Sequence, residues 1–591
     1  MSTSASLQEK QIRMAEELLF SGKRLPSFVK ALYFGVFDAQ RVFPYPKVSA
    51  QEQTRVDDFL VKLNEFCDAH LDPAWIDRNA QIPRSVIDGL AKLGVLGCTI
   101  APEHGGLGIT QYGYCKMVET VARRCASTAL FINVHQSIGL KALLLFGTDE
   151  QRRRWLPPLA RGEYLAAFAL TEPNAGSDAA GVQTRAVYDP DRNVYRITGE
   201  KQWITNGSIA QVLTVMAQTT VDTPEGPQDK ITAFLVTPDM PGFKVTAAAL
   251  EKVSTRGTVT SKLAFENMEV PAANILGPLG GGLKVALTVL DFGRTTFGAN
   301  CTGVAKELLE RGIEHAKTRH QFGRPLASFA LVKKKIATMA ALAYAMDATT
   351  YLTAGLLDRG EEDFMLETAI LKVFTSEALW SIVYDTMQIF GGRAFFTDAP
   401  YERIMRDARL NMIGEGSNDV LRAFIGVVGL RDPGMRLKDI KDSVRSPLAG
   451  AASLLGFGKD NLSRLLGRPE VPVQSSRLAE DARRLSDAVK QFGFTITRAL
   501  VRYREAIIER QMVLDRIATA AIAIHTASAV VSKLDSELSG SNGKSEAVEK
   551  NLAAGKLYCA QAFDAIQKAL AAVLDNDDAT IEAVSDRITG M

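Results

Sequence analysis

A single carboxylate between two glycines is the strongest chemical signal in the sequence. Glu415 has Gly414 before it and Gly416 after it. Glycines allow backbone conformations that other residues avoid, so the carboxylate can be turned into a tight pocket. Ser417 is a good N-cap, and apolar residues then recur at helical spacing. The segment predicts a base held near an acidic C–H bond, although alone it also fits a solvated Glu in a glycine-rich turn.

Two polar segments have the composition of a site for a flat heteroaromatic ring. The first leaves a β-rich run for a loop that offers hydroxyls and backbone N–H groups; its residues include Thr171, Gly176 and Ser177. The second places Trp203 close to Thr205, before an Asn-Gly turn. A Trp there can stack on a flat ring, and the Thr hydroxyl can bond to the edge of that ring. Each segment alone also fits an ordinary turn or hairpin.

Two later segments suit phosphate binding and close ligand approach. Arg319 and Arg324 flank a break between predicted helices, and guanidinium groups bind phosphate in a bidentate manner. Basic residues also favour a helix C-terminus, so both interpretations stay open for this segment. The run from Gln388 to Gly392 ends a helix with two glycines. They permit a ligand to approach the backbone, but they are also common in a helix C-cap.

Several other classes of function lack their sequence signals. The chain has no G-x-G-x-x-G, no H-E-x-x-H and no G-x-S-x-G, so a nicotinamide fold, a zinc protease site and a serine nucleophile elbow are not indicated. The six histidines show no metal-ligand spacing, and we predict no metal. The net charge is only +2 and no long basic tract occurs, so we predict no binding to nucleic acid.

Composition and cysteine usage indicate an ordinary globular protein of a reducing compartment. Hydrophobic residues make up 46% of the sequence and charged residues 23%, which is enough for several domains with sizeable cores. The six cysteines are scattered and form no C-x-x-C pair. The N-terminus has no signal-peptide core. We expect a bacterial-type cytoplasmic protein, or a mitochondrial matrix protein whose presequence has been removed. We see no apolar stretch of transmembrane length and predict no such helix.

Changes in periodicity divide the chain into helical regions around a central β-domain. Short β-rich runs begin near Tyr164, and helical periodicity returns near Gly282. Pro and Gly crowd the stretch 446–475, which predicts a mobile linker. The fold class is therefore mainly α with a central antiparallel β-domain. The predicted segments are an N-terminal arm (1–50), a helical domain (51–163), the middle β-domain (164–281), a helical bundle with Glu415 (282–432), a linker (433–476) and a C-terminal helical domain (477–591).

Taken together, these five segments resemble, in their order and spacing, the acyl-CoA dehydrogenase family of flavoproteins, over about residues 51–430. The N-terminal arm, the segment 135–148 and the long helical tail are similar to the very-long-chain branch of that family. The resemblance implies a helical N-domain, a β-barrel-like middle domain and a four-helix-bundle C-domain. An extra C-terminal helical domain follows them.

The resemblance implies FAD as the cofactor, a fatty acyl-CoA as the substrate and Glu415 as the catalytic base. Glu415 would remove the α-proton of the thioester while hydride passes from the β-carbon to flavin N5, giving a trans-2-enoyl-CoA. The residues implied for FAD are Phe168, Leu170, Thr171, Gly176, Ser177, Trp203, Ile204, Thr205, Arg319, Phe322, Gln388, Gly391, Gly392, Ser417 and Asp419. Those implied for the acyl-CoA are Ser177, Asp291, Phe292, Arg294 and Gly416.

The resemblance also implies an electron-transfer flavoprotein as the electron acceptor, and a homodimer. The alternative functions are an acyl-CoA oxidase that uses oxygen and a weakly active assembly or scaffold protein of the same fold. Within the linker, leucines mix with Lys459, Arg464 and Arg468. This segment either makes peripheral contact with an anionic membrane surface or is a plain linker.

The sequence departs from the family pattern at three places. Gly414 stands where the family usually has a bulkier residue, and Ser254 replaces a glycine. Phe131 and Asn133 fall where the very-long-chain branch tends to carry glycines that deepen the acyl pocket. We therefore expect an acyl chain that is shorter or differently shaped than the one that branch prefers.

Overall fold

The computed structural model describes residues 27–445, 467–540 and 543–591. This part of the chain forms two compact units, and neither is continuous in sequence. Unit 1 contains Val48–Arg311 and Leu379–Gly416. Unit 2 contains the described residues up to Lys47, then Gly312–Ala378 and the described residues from Ser417 onwards. Residues 446–466, most of the predicted membrane-surface segment, lie outside the described residues.

The described part of the N-terminal arm packs into unit 2. It forms two short helices, α1 (Phe28–Leu32) and α2 (Ala39–Val42). Lys30 Nζ makes a buried ion pair with Asp363 Oδ2 at 2.6 Å, and the Val29 N–H donates to Glu367 Oε1 at 2.9 Å. Burial raises the pKa of Glu367 to about 7. This part of the arm therefore belongs to the core of unit 2.

The first half of unit 1 is helical, with polar caps at several helix starts. The side chains of Ser49, Thr110 and Thr148 accept N–H groups of the first turns. The helices are α3 (Ala50–His70), α4 (Pro73–Asn79), α5 (Arg84–Lys92), α6 (Gln111–Ala122), α7 (Ala126–Asn133), α8 (Lys141–Phe146) and α9 (Asp149–Ala160). A buried π-helical segment, Val134–Leu140, joins α7 to α8. Such turns are frequent at functional sites.

An eight-stranded sheet forms the centre of unit 1. Its strands are β1 (Ala166–Ala169), β2 (Arg185–Asp189), β3 (Val194–Thr205), β4 (Val212–Thr223), β5 (Gly226–Val236), β6 (Phe243–Ala247), β7 (Thr260–Pro271) and β8 (Ile275–Leu276). The order is β6-β7-β3-β2-β4-β5-β8, and β1 also pairs with β4. Both β1 and β2 run parallel to β4, so the prediction of a purely antiparallel domain is wrong there. Parallel neighbours need a crossover connection, which strand periodicity does not reveal.

Strand β1 is buried on both faces because it lies between two apolar cores. Ala166 and Phe168 belong to a core shared with the helices, whereas Ala167 and Ala169 belong to a core within the sheet. Side chains alternate in direction along a strand, so this four-residue strand contributes to both cores. The loop that begins at Thr171 therefore leaves a rigid part of the unit.

The elements after the sheet are mostly long helices. They are α10 (Gly282–Thr318), β9 (His320–Gln321), β10 (Arg324–Pro325), α11 (Ala330–Asp358), α12 (Met365–Phe390), α13 (Tyr401–Leu410), α14 (Asn418–Arg445), α15 (Ala479–Tyr503), α16 (Gln511–Leu538), α17 (Glu546–Leu574) and α18 (Asp578–Thr589). In unit 2, α16 packs against α11, α14 and α17. The C-terminal helices thus share one compact unit with helices of the predicted bundle.

Two helical stretches have the length and apolarity of a membrane span, Ala126–Phe146 and Gln511–Leu538. Buried residues make up 78% and 89% of their most apolar windows. Core helices of soluble proteins pass the same test, so this is a weak indication of a span. The prediction that no stretch reaches this length is nevertheless wrong by this measure, because polar residues such as His525 and Thr526 interrupt the apolar run of α16 while its mean hydropathy stays high. Across the described residues, no cluster of three or more His, Cys, Asp or Glu side chains could hold a metal ion.

Candidate active site

Glu415 lies on a short loop that follows α13 in unit 1. Its φ angle is 56° and that of Gly416 is 97°, in a region that L side chains rarely adopt. Asn133 Nδ2 donates a hydrogen bond to Glu415 Oε1 at 3.1 Å, and Glu415 Oε2 is shielded from solvent. The loop therefore turns the carboxylate towards the interior of unit 1.

Residues of α10 pack against the Glu415 loop. Arg294 Nε donates to the Glu415 carbonyl oxygen at 3.4 Å, and Arg294 Nη1 donates to Asp291 Oδ1 at 2.9 Å. Arg294 and Asp291, both predicted to contact substrate, are buried in this pairing. A Cβ at Gly293 would lie 2.7 Å from Glu415 Oε2. Phe292 is half-buried, with the Lys141 ammonium 4.6 Å from its ring centre.

Trp203 stands on a β-bulge with its side chain 60% exposed. The pairing of β3 with β7 shifts register between Lys201 and Ile204, and the φ angle of Trp203 is 61°. Bulges re-aim side chains and are frequent next to active sites. A positive φ at a bulky residue is costly, and such conformations cluster where ligands bind. The bulge therefore presents a flat indole at the surface of the sheet.

A buried ion pair ties the two predicted ring-binding segments together. Lys201 Nζ lies 2.7 Å from Glu172 Oε1 and donates to the Leu170 carbonyl oxygen at 3.0 Å. The Glu172 carboxylate also accepts the N–H groups of Gln183 and Thr184. Burial raises the pKa of Glu172, but Lys201 and these hydrogen bonds outweigh it, and the net shift is downward. Burial lowers the pKa of Lys201 to about 8. Both groups are thus charged at neutral pH.

The remaining residues predicted for FAD in unit 1 differ in exposure. The buried ones are Phe168, Leu170 and Ile204; the half-buried ones are Thr171 and Thr205; the exposed ones are Gly176, Ser177, Gln388, Gly391 and Gly392. The Gln202 N–H donates to the Thr171 carbonyl oxygen at 2.9 Å. The structure therefore brings the Thr171 loop beside the Trp203 bulge. A Cβ at any of the three exposed glycines would meet no atom within 4 Å.

Four residues predicted for FAD belong to unit 2. Arg319 is exposed next to the β9–β10 hairpin, and Phe322 at its turn is 92% exposed with a φ angle of 51°. Ser417 precedes α14, and its carbonyl oxygen accepts the Leu421 N–H at 2.9 Å, so it occupies the N-cap position. Asp419 is exposed in the first turn.

Asn418 and Lys372 anchor the start of α14, a role that the sequence gave no reason to expect. Asn418 Oδ1 accepts from Lys372 Nζ at 2.9 Å, and Asn418 Nδ2 donates to Ser376 Oγ at 3.0 Å and to Glu377 Oε1 at 3.2 Å. Arg422 donates two hydrogen bonds to the same Glu377 carboxylate, one to each oxygen. These polar groups are satisfied by one another, so the helix begins from a fixed point in unit 2.

Sequence reasoning also missed the residues that contact Glu415 and the ion pair that links the Thr171 and Trp203 segments in unit 1. Asn133 attracted notice only as a departure from glycine in the acyl-pocket region. Gly293 was hidden inside the Asp291–Arg294 segment, although a glycine within a helix is itself a signal of close packing. The Glu172–Lys201 pair carried no signal, because a charged residue in a strand usually faces water.

The sequence matches four domain families along its length. They are the N-terminal (55–163), middle (167–268) and C-terminal (280–429) domains of acyl-CoA dehydrogenase, and the ACAD9/ACADV C-terminal domain (476–590). Together with the relatives below, these matches show that the chain belongs to the acyl-CoA dehydrogenase family. The resemblance seen in the motifs is confirmed, and so is the fold class of helical, middle and C-terminal domains with an extra C-terminal domain.

Curated relatives cover almost the whole chain. The very long-chain specific acyl-CoA dehydrogenase of Homo sapiens mitochondria is 35% identical over 557 residues, covering 93% of this chain and 84% of the relative. The probable acyl-CoA dehydrogenase FadE10 of Mycobacterium tuberculosis is 35% identical over 536 residues, covering 88% and 82%. The protein is therefore an acyl-CoA dehydrogenase, an oxidoreductase, as predicted.

Solved structures extend the likeness to the fold. An acyl-CoA dehydrogenase from Bacillus anthracis complexed with FAD has a TM-score of 0.78 and 26% identity, covering 94% of each chain. The butyryl-CoA dehydrogenase of Megasphaera elsdenii has a TM-score of 0.60 and 33% identity, covering 64% of this chain and 98% of that one. FAD is the cofactor of the family, and the predicted cofactor is confirmed.

Proposed function

We propose that the protein catalyses the α,β-dehydrogenation of a fatty acyl-CoA to a trans-2-enoyl-CoA, with Glu415 as the base. The observation that carries the proposal is the Glu415 carboxylate, which a positive-φ loop turns inward and which receives a hydrogen bond from Asn133. A base that abstracts a weakly acidic C–H proton needs a fixed position and little competing water. Both conditions are met by a shielded carboxylate oxygen on a strained, glycine-flanked loop.

The chain's own residues would orient the thioester and move one proton. Glu415 Oε2 would take the α-proton, because it is the carboxylate oxygen turned away from the Asn133 amide. Backbone N–H groups of the Glu415 loop would polarise the thioester oxygen as negative charge develops there. Arg294, fixed by Asp291, would keep the loop in position through the Glu415 carbonyl oxygen.

The residues of unit 1 fit a flavin at the Trp203 bulge. When bound, FAD supplies the two-electron acceptor that takes hydride from the β-carbon. Trp203 would cover one face of the ring system, and Thr171 and Thr205 would bond to its edge. The exposed Trp203 ring supports this fit, since the bulge places it where a planar group can lie against it. From the family resemblance we assign the rest of the cofactor to Arg319, Phe322, Ser417, Asp419 and the segment 388–392, which would act partly across the interface between two subunits.

The preferred acyl chain would be shorter than the longest chains that the very-long-chain branch accepts. Phe131 and Asn133 are both buried, so their side chains occupy volume that glycines would leave to the substrate. The added volume excludes several methylene groups from such a pocket. Ser177 and Gly416 are the remaining residues we assign to acyl-CoA binding.

We also infer an electron-transfer flavoprotein as the acceptor and a homodimer as the assembly. Support for a partner surface comes from the exposed aromatic side chains of Phe395 and Phe396, directly after the Gly391–Gly392 turn. Sedimentation of the wild type and of a Phe395→Ser, Phe396→Ser variant tests the assembly. A wild type that sediments as a dimer supports the inference, and a monomeric wild type contradicts it. A variant that remains a dimer removes Phe395 and Phe396 from the interface.

Anaerobic reduction of the bound flavin by acyl-CoAs of graded length tests the proposed reaction. We expect bleaching of the flavin absorbance, a maximum at a long but not very long chain, and a trans-2-enoyl-CoA product. Reoxidation is then followed with electron-transfer flavoprotein and, separately, with oxygen. Fast reoxidation by oxygen with stoichiometric hydrogen peroxide would identify an oxidase instead. A flavin that no acyl-CoA bleaches would leave only the scaffold function.

A further inference from the structure

Asn133 makes a specific contact with the carboxylate of the predicted base. It is the last residue of α7, it is buried, and its Nδ2 donates to Glu415 Oε1 at 3.1 Å. Its Oδ1 accepts a hydrogen bond from the Thr296 hydroxyl. Rotating the amide by half a turn would place Oδ1 against the negative carboxylate oxygen. The amide therefore has one favourable orientation, with its donor towards Glu415.

Three buried hydroxyl groups form a chain of contacts that ends at the Asn133 amide oxygen. The Thr296 hydroxyl lies 2.9 Å from that of Ser137, and the Ser137 and Tyr114 hydroxyl oxygens lie 3.0 Å apart. Ser137 belongs to the π-helical segment that continues α7. Thr296, Ser137 and Tyr114 are each fully buried. Buried hydrogen-bonded chains of this kind rigidify the groups they contain.

The charged and titratable groups described near Glu415 in unit 1 are Arg294, Asp291 and Tyr114. Arg294 reaches the Glu415 carbonyl oxygen rather than the carboxylate, and Asp291 balances its charge. Tyr114 stands at the far end of the chain of hydroxyl groups, and burial raises its pKa well above the usual value, so it stays neutral. The Asn133 amide, by contrast, donates to the carboxylate head group itself. A donor favours the ionised form, which is the form that acts as a base.

We propose that Asn133 is a positioning residue that holds the Glu415 carboxylate in its reactive orientation and favours its ionised form. This inference depends on the proposed role of Glu415 as the base. Thr296 supports Asn133 by fixing the amide orientation. If Asn133 did no more than fill part of the acyl pocket, as proposed above, its substitution would change substrate affinity and chain preference but not the ionisation of the base.

The test compares Asn133→Leu with the wild type as FAD-loaded full-length enzymes. Leu keeps the volume of the side chain but cannot donate. We expect flavin reduction at saturating acyl-CoA and neutral pH to slow by about 10- to 100-fold, the range of a lost hydrogen bond to a charged group. The acid limb of the pH–rate profile should move up by about one pH unit. The half-saturating acyl-CoA concentration should change by less than about threefold.

Two further variants make the comparison specific. Thr128→Val is the matched control, because Thr128 is a buried polar residue of the same helix whose hydroxyl donates to Cys125 Sγ and not to Glu415. Thr296→Val should shift the acid limb in the same direction as Asn133→Leu, by a smaller amount. Should Asn133→Leu fail to fold, Asn133→Ala takes its place with the same readouts.

The outcomes separate this inference from the proposed function. An unchanged acid limb in Asn133→Leu, or a loss confined to the half-saturating concentration, would overturn the positioning role while leaving Glu415 as the base. Both require that bleaching in Glu415→Gln slows by at least about 1,000-fold. If Glu415→Gln still bleaches at the wild-type rate, the proposed function itself fails.

Discussion

Gly293 leaves no room for a side chain beside Glu415: a Cβ at position 293 would lie 2.7 Å from Glu415 Oε2 and 3.0 Å from Ile138 Cγ2. The carboxylate and the helix α10 are therefore in direct contact within unit 1. An added methyl group must displace the carboxylate, because the helix backbone cannot move as easily as a side chain on a loop.

Gly293→Ala should reduce the rate of flavin reduction by roughly 10- to 100-fold, since a displacement near 1 Å is enough to misalign a base. The variant should keep its FAD. Gly434→Ala is the matched control, because the nearest atom to a Cβ there is a Leu500 methyl at 3.7 Å. Stopped-flow absorbance measures both variants. Full activity in Gly293→Ala would show that Glu415 does not work from the position seen here.

Lys201→Met should destabilise unit 1 by roughly 3 kcal/mol, because it leaves the Glu172 carboxylate buried without its counter-ion. The double variant Lys201→Met, Glu172→Gln should regain part of that loss, since a neutral amide still accepts the loop N–H groups. Urea unfolding measures both. Lys244→Met is the control, because the Lys244–Glu266 pair is exposed and its loss should cost less than about 0.5 kcal/mol. Equal losses at the two positions would contradict the structural role of the buried pair.

Trp203→Leu should weaken FAD binding by about 2- to 10-fold, because one aromatic stacking pair contributes about 0.5–1.5 kcal/mol. Trp75→Leu is the matched control, since Trp75 is 38% exposed but lies on α4. Equilibrium dialysis with FAD, or flavin fluorescence, gives the dissociation constant. Equal affinities in the two variants would remove Trp203 from the cofactor site.

His525 should make the protein sensitive to acid. Its ring is fully buried in unit 2, and neither ring nitrogen has a hydrogen-bond partner among the described residues. Burial lowers the pKa of His525 to about 4, against an ordinary value of about 6.5. The unfolded chain therefore takes up a proton that the native protein excludes, and stability falls as the pH drops from about 6.5 to about 4.

His525→Phe should remove roughly 1 to 3 kcal/mol of that acid sensitivity, measured as the change in unfolding free energy between pH 7 and pH 4.5. The exposed His70 provides the control variant His70→Phe, which should follow the wild type. Identical acid sensitivity in the wild type and His525→Phe would show that the ring is protonated in the native state or reached by water.

The features that could be predicted from the sequence are those set by residue types close together in the chain and by the order of the motifs. The glycine-flanked Glu415, the Trp203 segment and the helical and β regions follow from residue types and periodicity. The Asn133–Glu415 hydrogen bond spans 282 positions, and no local pattern reports such a contact. The parallel pairing of β1 with β4 has the same cause, because crossover connections are set by the packing of the whole domain. Lysine side chains are usually exposed, so the burial of Lys201 could not be predicted from the sequence.

The most direct test of the account is the rate of flavin bleaching by acyl-CoA in Glu415→Gln. We predict that the variant keeps FAD and its fold and that bleaching slows by at least about 1,000-fold, towards the upper range for removal of a general base. Glu103→Gln, at an exposed position of the same unit, should bleach at the wild-type rate. Bleaching of Glu415→Gln at a rate close to that of the wild type would contradict the assignment of Glu415 as the base.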